Sequence, residues 1–207
     1  MQNPLSLLGN KIGKITGILH VGAHECEELQ KYNDGGVRSA DIVWIEALDE
    51  KCAKNRLRGI PNIYNAVITD EDDKEVTFNV ANNGMSSSVL ELGTHKTEHP
   101  DIHYVGKLQK KTVTLDTFFA RNGLNAKKFN YWVMDIQGAE LLALRGATNS
   151  LKYVGALCIE VNQDELYKNC GRIGEVDAFL RQHGFDRIET VMTRHGWGDA
   201  LYVRRKN

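Results

Sequence analysis

"YWVMDIQGAELLALRG" (residues 131–146) passes from a buried strand into a helix through one short turn. Its first six residues form an almost unbroken apolar run, as expected of a strand covered on both faces. Leu141, Leu142 and Leu144 then gather on one side of a helix that stops at Gly146. The same unit recurs outward from this point. "ITGILHV" (15–21), "DIVWIEA" (41–47), "IYNAVI" (63–68) and "VGALCIEV" (154–161) read as further strands. "LDEKCAKNRLR" (48–58), ending at Gly59, and "GEVDAFLRQHG" (174–184) read as helices. Strand and helix alternate, which predicts an α/β fold with a mostly parallel sheet and helices on both faces. The end of the chain differs. "FDRIETVM" (185–192) and "DALYVRR" (199–205) follow each other with only "TRHGWG" between, which predicts a terminal hairpin. The long polar run 83–111 is broken by Gly and Pro and reads as a loop with a lid or acceptor-binding role.

The chain has 207 residues, a size that fits one domain (1–207) with an N-terminal extension over 1–14. A net charge of −1 supplies no field for nucleic acid or an anionic membrane surface. No apolar run approaches the roughly 20 residues of a membrane span. The opening "MQNPLSLLGNKIGK" lacks the basic and apolar regions of a signal peptide, so a cytoplasmic location is expected. Cys26, Cys52, Cys158 and Cys170 form no C-x-x-C pair and read as reduced thiols. His95, His99 and His103 recur at four-residue spacing, but Pro100 interrupts any helix there, so no metal site is expected.

Two features point to a ligand. In "HVGAHEC" (20–26) Gly22 ends the first strand, where parallel sheets bind ligands beyond the strand ends; a tight turn that binds nothing reads equally well. Glu46 ends the second strand, 24 positions after Gly22. An acid about 20 residues on can hold the two hydroxyls of a ribose. The alternative is a surface glutamate that starts a helix.

The segment 129–147, with Asp135, Gly138, Glu140, Leu144, Gly146 and Ala147, resembles the "DxxGxExxxLxGA" signature of FkbM-type S-adenosylmethionine-dependent methyltransferases. Weaker pieces follow in the family's order: "HVGAH" (20–24), "IEA" (45–47), "NAVITD" (65–70), "SSSVLEL" (86–92), "VTLDTFF" (113–119) and "IEVNQDELY" (159–167). The resemblance implies a Rossmann-like class I methyltransferase sandwich of three layers. Its seven-stranded sheet would have the order 3-2-1-4-5-7-6 with strand seven antiparallel. It also implies S-adenosyl-L-methionine as cofactor and methyl transfer to a hydroxyl of a sugar, glycan or small natural product. The chain departs from the family's "DVGANIG" at His20 and Cys26. The lost acid removes a partner for the cofactor, and the Cys26 side chain is expected to narrow the space beside it. One of Glu25, Glu27 and Glu28 is expected to make up the charge.

On this reading Gly22, Ala23 and His24 pass close to the cofactor and Glu46 holds its ribose. Asn65, Ala66 and Val67 flank the adenine, while Asp135 and Gln137 lie at the transfer point. Asp135 and His24 are the catalytic candidates, with Glu160 and His195 as other possible bases. His20 and His24 straddle a strand and a turn and are not expected to face one point. Glu140 reads as either structural or functional, and Ser86 to Ser88 as either ligand contacts or a capped turn. A catalytically silent, nucleoside-binding or scaffold relative is the alternative function.

Overall fold

The computed structural model describes residues 11–206. Most of the expected N-terminal extension therefore lies outside the described residues. Along the chain run β1 (Ile18–Val21), α1 (Leu29–Asp34), β2 (Ile42–Glu46), α2 (Asp49–Leu57), β3 (Ile63–Asn65), β4 (Val67–Ile68), β5 (Glu75–Ala81) and α3 (His95–Glu98). Then come β6 (Tyr104–Val113), α4 (Leu115–Arg121), β7 (Tyr131–Met134), α5 (Glu140–Arg145), β8 (Ala156–Asn162), α6 (Ile173–Gln182), β9 (Phe185–Met192) and β10 (Trp197–Arg204).

Seven strands form one sheet in the order β3-β2-β1-β7-β8-β10-β9. Numbered by their own succession, this is 3-2-1-4-5-7-6, the order the resemblance implies. Only β10 runs against the direction of the other six strands. The apolar runs are unbroken because alternate residues feed two cores. Leu19, Val21, Trp132 and Met134 pack with Phe118, Leu141 and Leu144 on one face. Ile18, Trp44 and Tyr131 pack with Tyr32, Cys52 and Val203 on the other. Strand order switches between β1 and β7, which run parallel, so the carboxyl ends of these strands open the crevice where such sheets bind ligands.

A second, three-stranded sheet of order β4-β6-β5 was not expected. The run 63–68 is not one strand. The Ala66 N–H donates to the Glu46 carbonyl (3.1 Å), and beyond it the chain leaves the large sheet for the small one. The polar run 83–111 likewise is not all loop, since β6 takes up its end. β6 is exposed along most of its length and carries Lys107, Lys110 and Lys111, so no apolar alternation betrays it. The true loop spans 83–103, and its neck is closed. The Asn82 N–H donates to the His103 carbonyl (3.0 Å) and the Asn82 amide nitrogen to the Asp101 carbonyl (2.9 Å). The terminal hairpin forms as expected from β9 and β10. No helix among the described residues is long and apolar enough to cross a membrane.

Candidate active site

The turn after β1 needs a glycine. Gly22 has φ +91°, and a Cβ there would lie 1.8 Å from the Asp135 carbonyl oxygen. The turn is held at its base by N–H groups of Gly22 and Ala23, which both donate to the Ile45 carbonyl (2.9 and 3.0 Å). His24 and Cys26 follow with φ +42° and +56°, a region that side chains enter at a cost. The Cys26 side chain does not enter the crevice. It packs with Ala23, Tyr32 and Val37 in the core, where burial pushes its thiol up to about 12. The expected narrowing by Cys26 is therefore absent.

Glu46 ends β2 with its carboxylate buried but not swung away. One oxygen accepts from the His24 N–H (2.7 Å) and the other from the Leu48 N–H (2.8 Å). Burial raises its pKa. A carboxylate has about four lone-pair sites, so roughly two remain for a cis-diol. Ala66 and Val67 line the crevice. Asn65 does not: its amide nitrogen is spent on the Glu46 and Ala47 carbonyls (both 3.0 Å), where it ties the end of β3 to β2.

The turn from Asp135 to Glu140 explains the signature motif. Gln137 and Gly138 have φ +56° and +96°. Glu140 is buried beneath them and accepts from the N–H groups of Ile136 (2.8 Å) and Gly138 (3.3 Å), so it clamps the turn. Gln137 sits at the centre of a network. Its amide nitrogen donates to Asp135 Oδ1 (2.5 Å) and Glu160 Oε2 (2.8 Å), and its amide oxygen accepts from the Tyr167 hydroxyl (2.6 Å). Ser88 Oγ donates to the Gln137 carbonyl (2.8 Å) and so pins the loop to this turn. Ser86 and Ser87 mainly satisfy the loop's own backbone and Asn83. Burial and the neighbouring Asp135 carboxylate hold Glu160 far above the ordinary carboxylate range. That direction makes it a poor resting base. His195 lies outside the crevice lining, hydrogen-bonded to Glu98 (2.8 Å) and Arg194 (3.1 Å).

Glu140 yields a stability prediction. Alanine at this position would strand the two N–H groups and is expected to destabilise the fold by roughly 2–4 kcal/mol. Burial raises the Glu140 pKa above its ordinary 4.5, so the folded chain holds this proton more tightly than the unfolded one. That contribution is complete below 4.5 and is lost as pH rises through the folded value. Glu140→Gln retains an acceptor and removes the titration. Its urea midpoint is expected to fall less than that of the parent as pH climbs past neutrality; parallel curves would contradict the assignment.

These elements enclose a cavity of about 320 Å³. Gly22, Ala23, His24, Glu46, Ala66, Val67, Asp135 and Gln137, all read from the sequence, line it. So do Glu27 and Glu28, two of the three acids expected to make up the lost charge, and Phe78, Met85 and Val89, which the sequence reading did not place there. His24 Nδ1 bonds Glu27 (2.7 Å), while its Nε2 is buried without a partner. His20 also lines the cavity, but its ring nitrogen bonds Tyr32 while that of His24 bonds Glu27. The His20 ring stacks on Trp44 (4.9 Å between centroids), bonds the Tyr32 hydroxyl (2.9 Å), and burial lowers its pKa, so it is neutral. An apolar wall, a diol-sized carboxylate and an unsatisfied imidazole nitrogen together suit a nucleoside with a polar tail. Among the described residues, no group of three or more His, Cys, Asp or Glu is arranged to hold a metal ion.

Residues 20–187 match the family described as the methyltransferase FkbM domain. No curated protein matches the chain in sequence. Among solved structures, it is similar to magnesium protoporphyrin IX methyltransferase from Synechocystis PCC 6803 with bound SAM. Identity is 9% over 98% of this chain and 76% of that one, with a TM-score of 0.49. A SAM-dependent methyltransferase from Bacteroides fragilis in complex with S-adenosyl-L-homocysteine is similar at 10% identity, over 99% and 77% of the two chains, with a TM-score of 0.47. A SAM-dependent methyltransferase from Aquifex aeolicus gives 13%, 97%, 88% and 0.45.

Proposed function

Since this chain belongs to the FkbM family of S-adenosylmethionine-dependent methyltransferases, we propose that it methylates a hydroxyl oxygen of a sugar, glycan or small natural product. The observation that carries this reading is Asp135. Its exposed carboxylate stands at the end of β7 on the cavity wall, oriented by Gln137. The bound cofactor supplies an electrophilic methyl group on a sulfonium. The chain's own residues have to align the acceptor, exclude water and receive a proton. Alignment alone can be worth about 7–11 kcal/mol.

In this reading Glu46 takes the ribose hydroxyls, Ala66, Val67 and Phe78 cover the adenine, and the Gly22–His24 turn borders the polar tail. Asp135 accepts the hydroxyl proton as the new O–CH3 bond forms. His24, with Nδ1 already engaged by Glu27, offers Nε2 as a second acceptor or donor. The Cys26 thiol, turned into the core, gives no support to a silent relative.

Incubation with methyl-labelled cofactor and a panel of sugars, glycans and hydroxylated metabolites tests the proposal. Label in an alkali-stable methyl ether is expected. Label on nitrogen or carbon, or no product despite tight cofactor binding, would refute it.

The loop 83–103 serves as a lid. Gly84, Met85, Ser87 and Val89 edge the cavity, and Met85 is 58% exposed and so free to fold over a bound ligand. Amide exchange at 83–94 is expected to slow several-fold when S-adenosylhomocysteine and acceptor are both present. Equal exchange with and without them would rule out closure.

A further inference from the structure

The cavity has a one-sided charge. Glu27, Glu28, Glu46 and Asp135 line it, and no lysine or arginine does so among the described residues. Lys51 and Lys54 stand outside the lining and are drawn to Glu25, both bonding its Oε1, at 2.8 and 2.9 Å. That pairing also removes Glu25 as the replacement for the family's lost acid. His20 is buried and bonded to a hydroxyl, not an acid. His24 can add at most one positive charge, and it sits against Glu27. The lining therefore stays negative even with His24 protonated.

The four acids are not equivalent. Glu46 is engaged by two backbone N–H groups, Glu27 by His24 and the Glu25 N–H, and Asp135 by Gln137. Glu28 stands at the N-cap of α1 without a capping bond, and no donor meets its carboxylate among the described residues. It is an uncommitted negative charge on the wall of a cavity that also holds an unpartnered imidazole nitrogen.

We propose that this cavity discriminates by net charge, binding the cationic methyl donor more tightly than the neutral product, with Glu28 as the residue that sets the difference. The proposal rests on the cavity being the S-adenosylmethionine site. The donor carries a sulfonium, an ammonium and a carboxylate, for a net charge of +1. In the reaction the electron pair of the S–CH3 bond stays on sulfur, the methyl joins the acceptor oxygen, and the hydroxyl proton leaves to a base. What remains is a thioether with no net charge. Negative walls in a partly enclosed site attract the first and are indifferent to the second. Product would leave readily, and its accumulation would inhibit little.

Calorimetric titration with S-adenosylmethionine, S-adenosylhomocysteine and sinefungin, whose amine replaces the sulfonium with another cation, decides the matter. At low salt the two cationic ligands are expected to bind about 10-fold or more tightly than S-adenosylhomocysteine, with the gap shrinking near 0.5 M salt. Glu28→Gln is expected to weaken the cationic ligands about 5-fold and to leave S-adenosylhomocysteine within about 2-fold. If the homocysteine compound binds the parent as tightly as the donor, or if Glu28→Gln weakens all three alike, charge discrimination is overturned while the adenosyl site stands. If none of the three binds, the reading of the cavity falls, and the proposal with it.

Discussion

Gly22→Ala is expected to abolish cofactor binding and to lower the melting temperature by roughly 10 °C or more. The added methyl would lie 1.8 Å from the Asp135 carbonyl oxygen and 2.7 Å from its carbon, and neither is a flexible side chain that can step aside. The backbone at φ +91° is also outside the range an alanine tolerates without strain. Strain of about 1–3 kcal/mol and overpacking of about 1–3 kcal/mol both act on a fold whose whole stability is on the order of 5–15 kcal/mol. The chain can relieve the clash only by parting the ends of β1 and β7, and those ends carry His24 and Asp135 on opposite sides of the crevice. A thermal melt together with a titration of S-adenosylhomocysteine checks both halves. A variant that melts and binds like the parent would show that the turn is looser than described.

Asp135→Asn is expected to separate binding from chemistry. The amide keeps an oxygen to accept from Gln137, so the network around Tyr167 and Ser88 survives. The charge that receives the hydroxyl proton does not. Positioned bases contribute about 10²- to 10⁴-fold, and a loss in turnover of that size is expected with affinity for S-adenosylhomocysteine changed only a few-fold. A secondary effect follows at Glu160. Its proton is held partly by the Asp135 charge, so its pKa is expected to fall in the variant. Single-turnover rates within about 3-fold of the parent would transfer the role of base to His24 or to solvent.

Much of this was legible in the sequence because strands buried on both faces leave unbroken apolar runs, and a parallel sheet whose strand order switches opens its crevice at the ends of its central strands. Gly22, Glu46 and Asp135 are placed by position along such strands, and backbone geometry alone brings them together. What escaped depended on side chains finding partners far away. Asn65 lies at the right strand end but spends its amide on carbonyls of β2. β6 escaped because "YVGKLQKKTV" is largely exposed and shows no buried stripe. Phe78 then escaped as a wall residue, since nothing local reveals that β5 pairs with β6 and turns toward the crevice. The departures at positions 20 and 26 looked like damage at one dimension. In three, His20 is seated against Tyr32 and Trp44, and Cys26 adopts a left-handed backbone, φ +56°, while filling a core position.

The closed neck between Asn82 and His103 has an evolutionary consequence. A loop whose two feet are already fastened transmits little of its own length to the sheets beneath it. Doubling its length would cost only about 0.6 kcal/mol in closure entropy. Insertions and deletions in its exposed stretch around 96–101 can therefore accumulate while Gly22, Glu46 and Gln137 stay in register, whereas Ser88, bonded to the Gln137 carbonyl, is not free to change. Sequence change confined to that stretch would leave the donor's seat untouched.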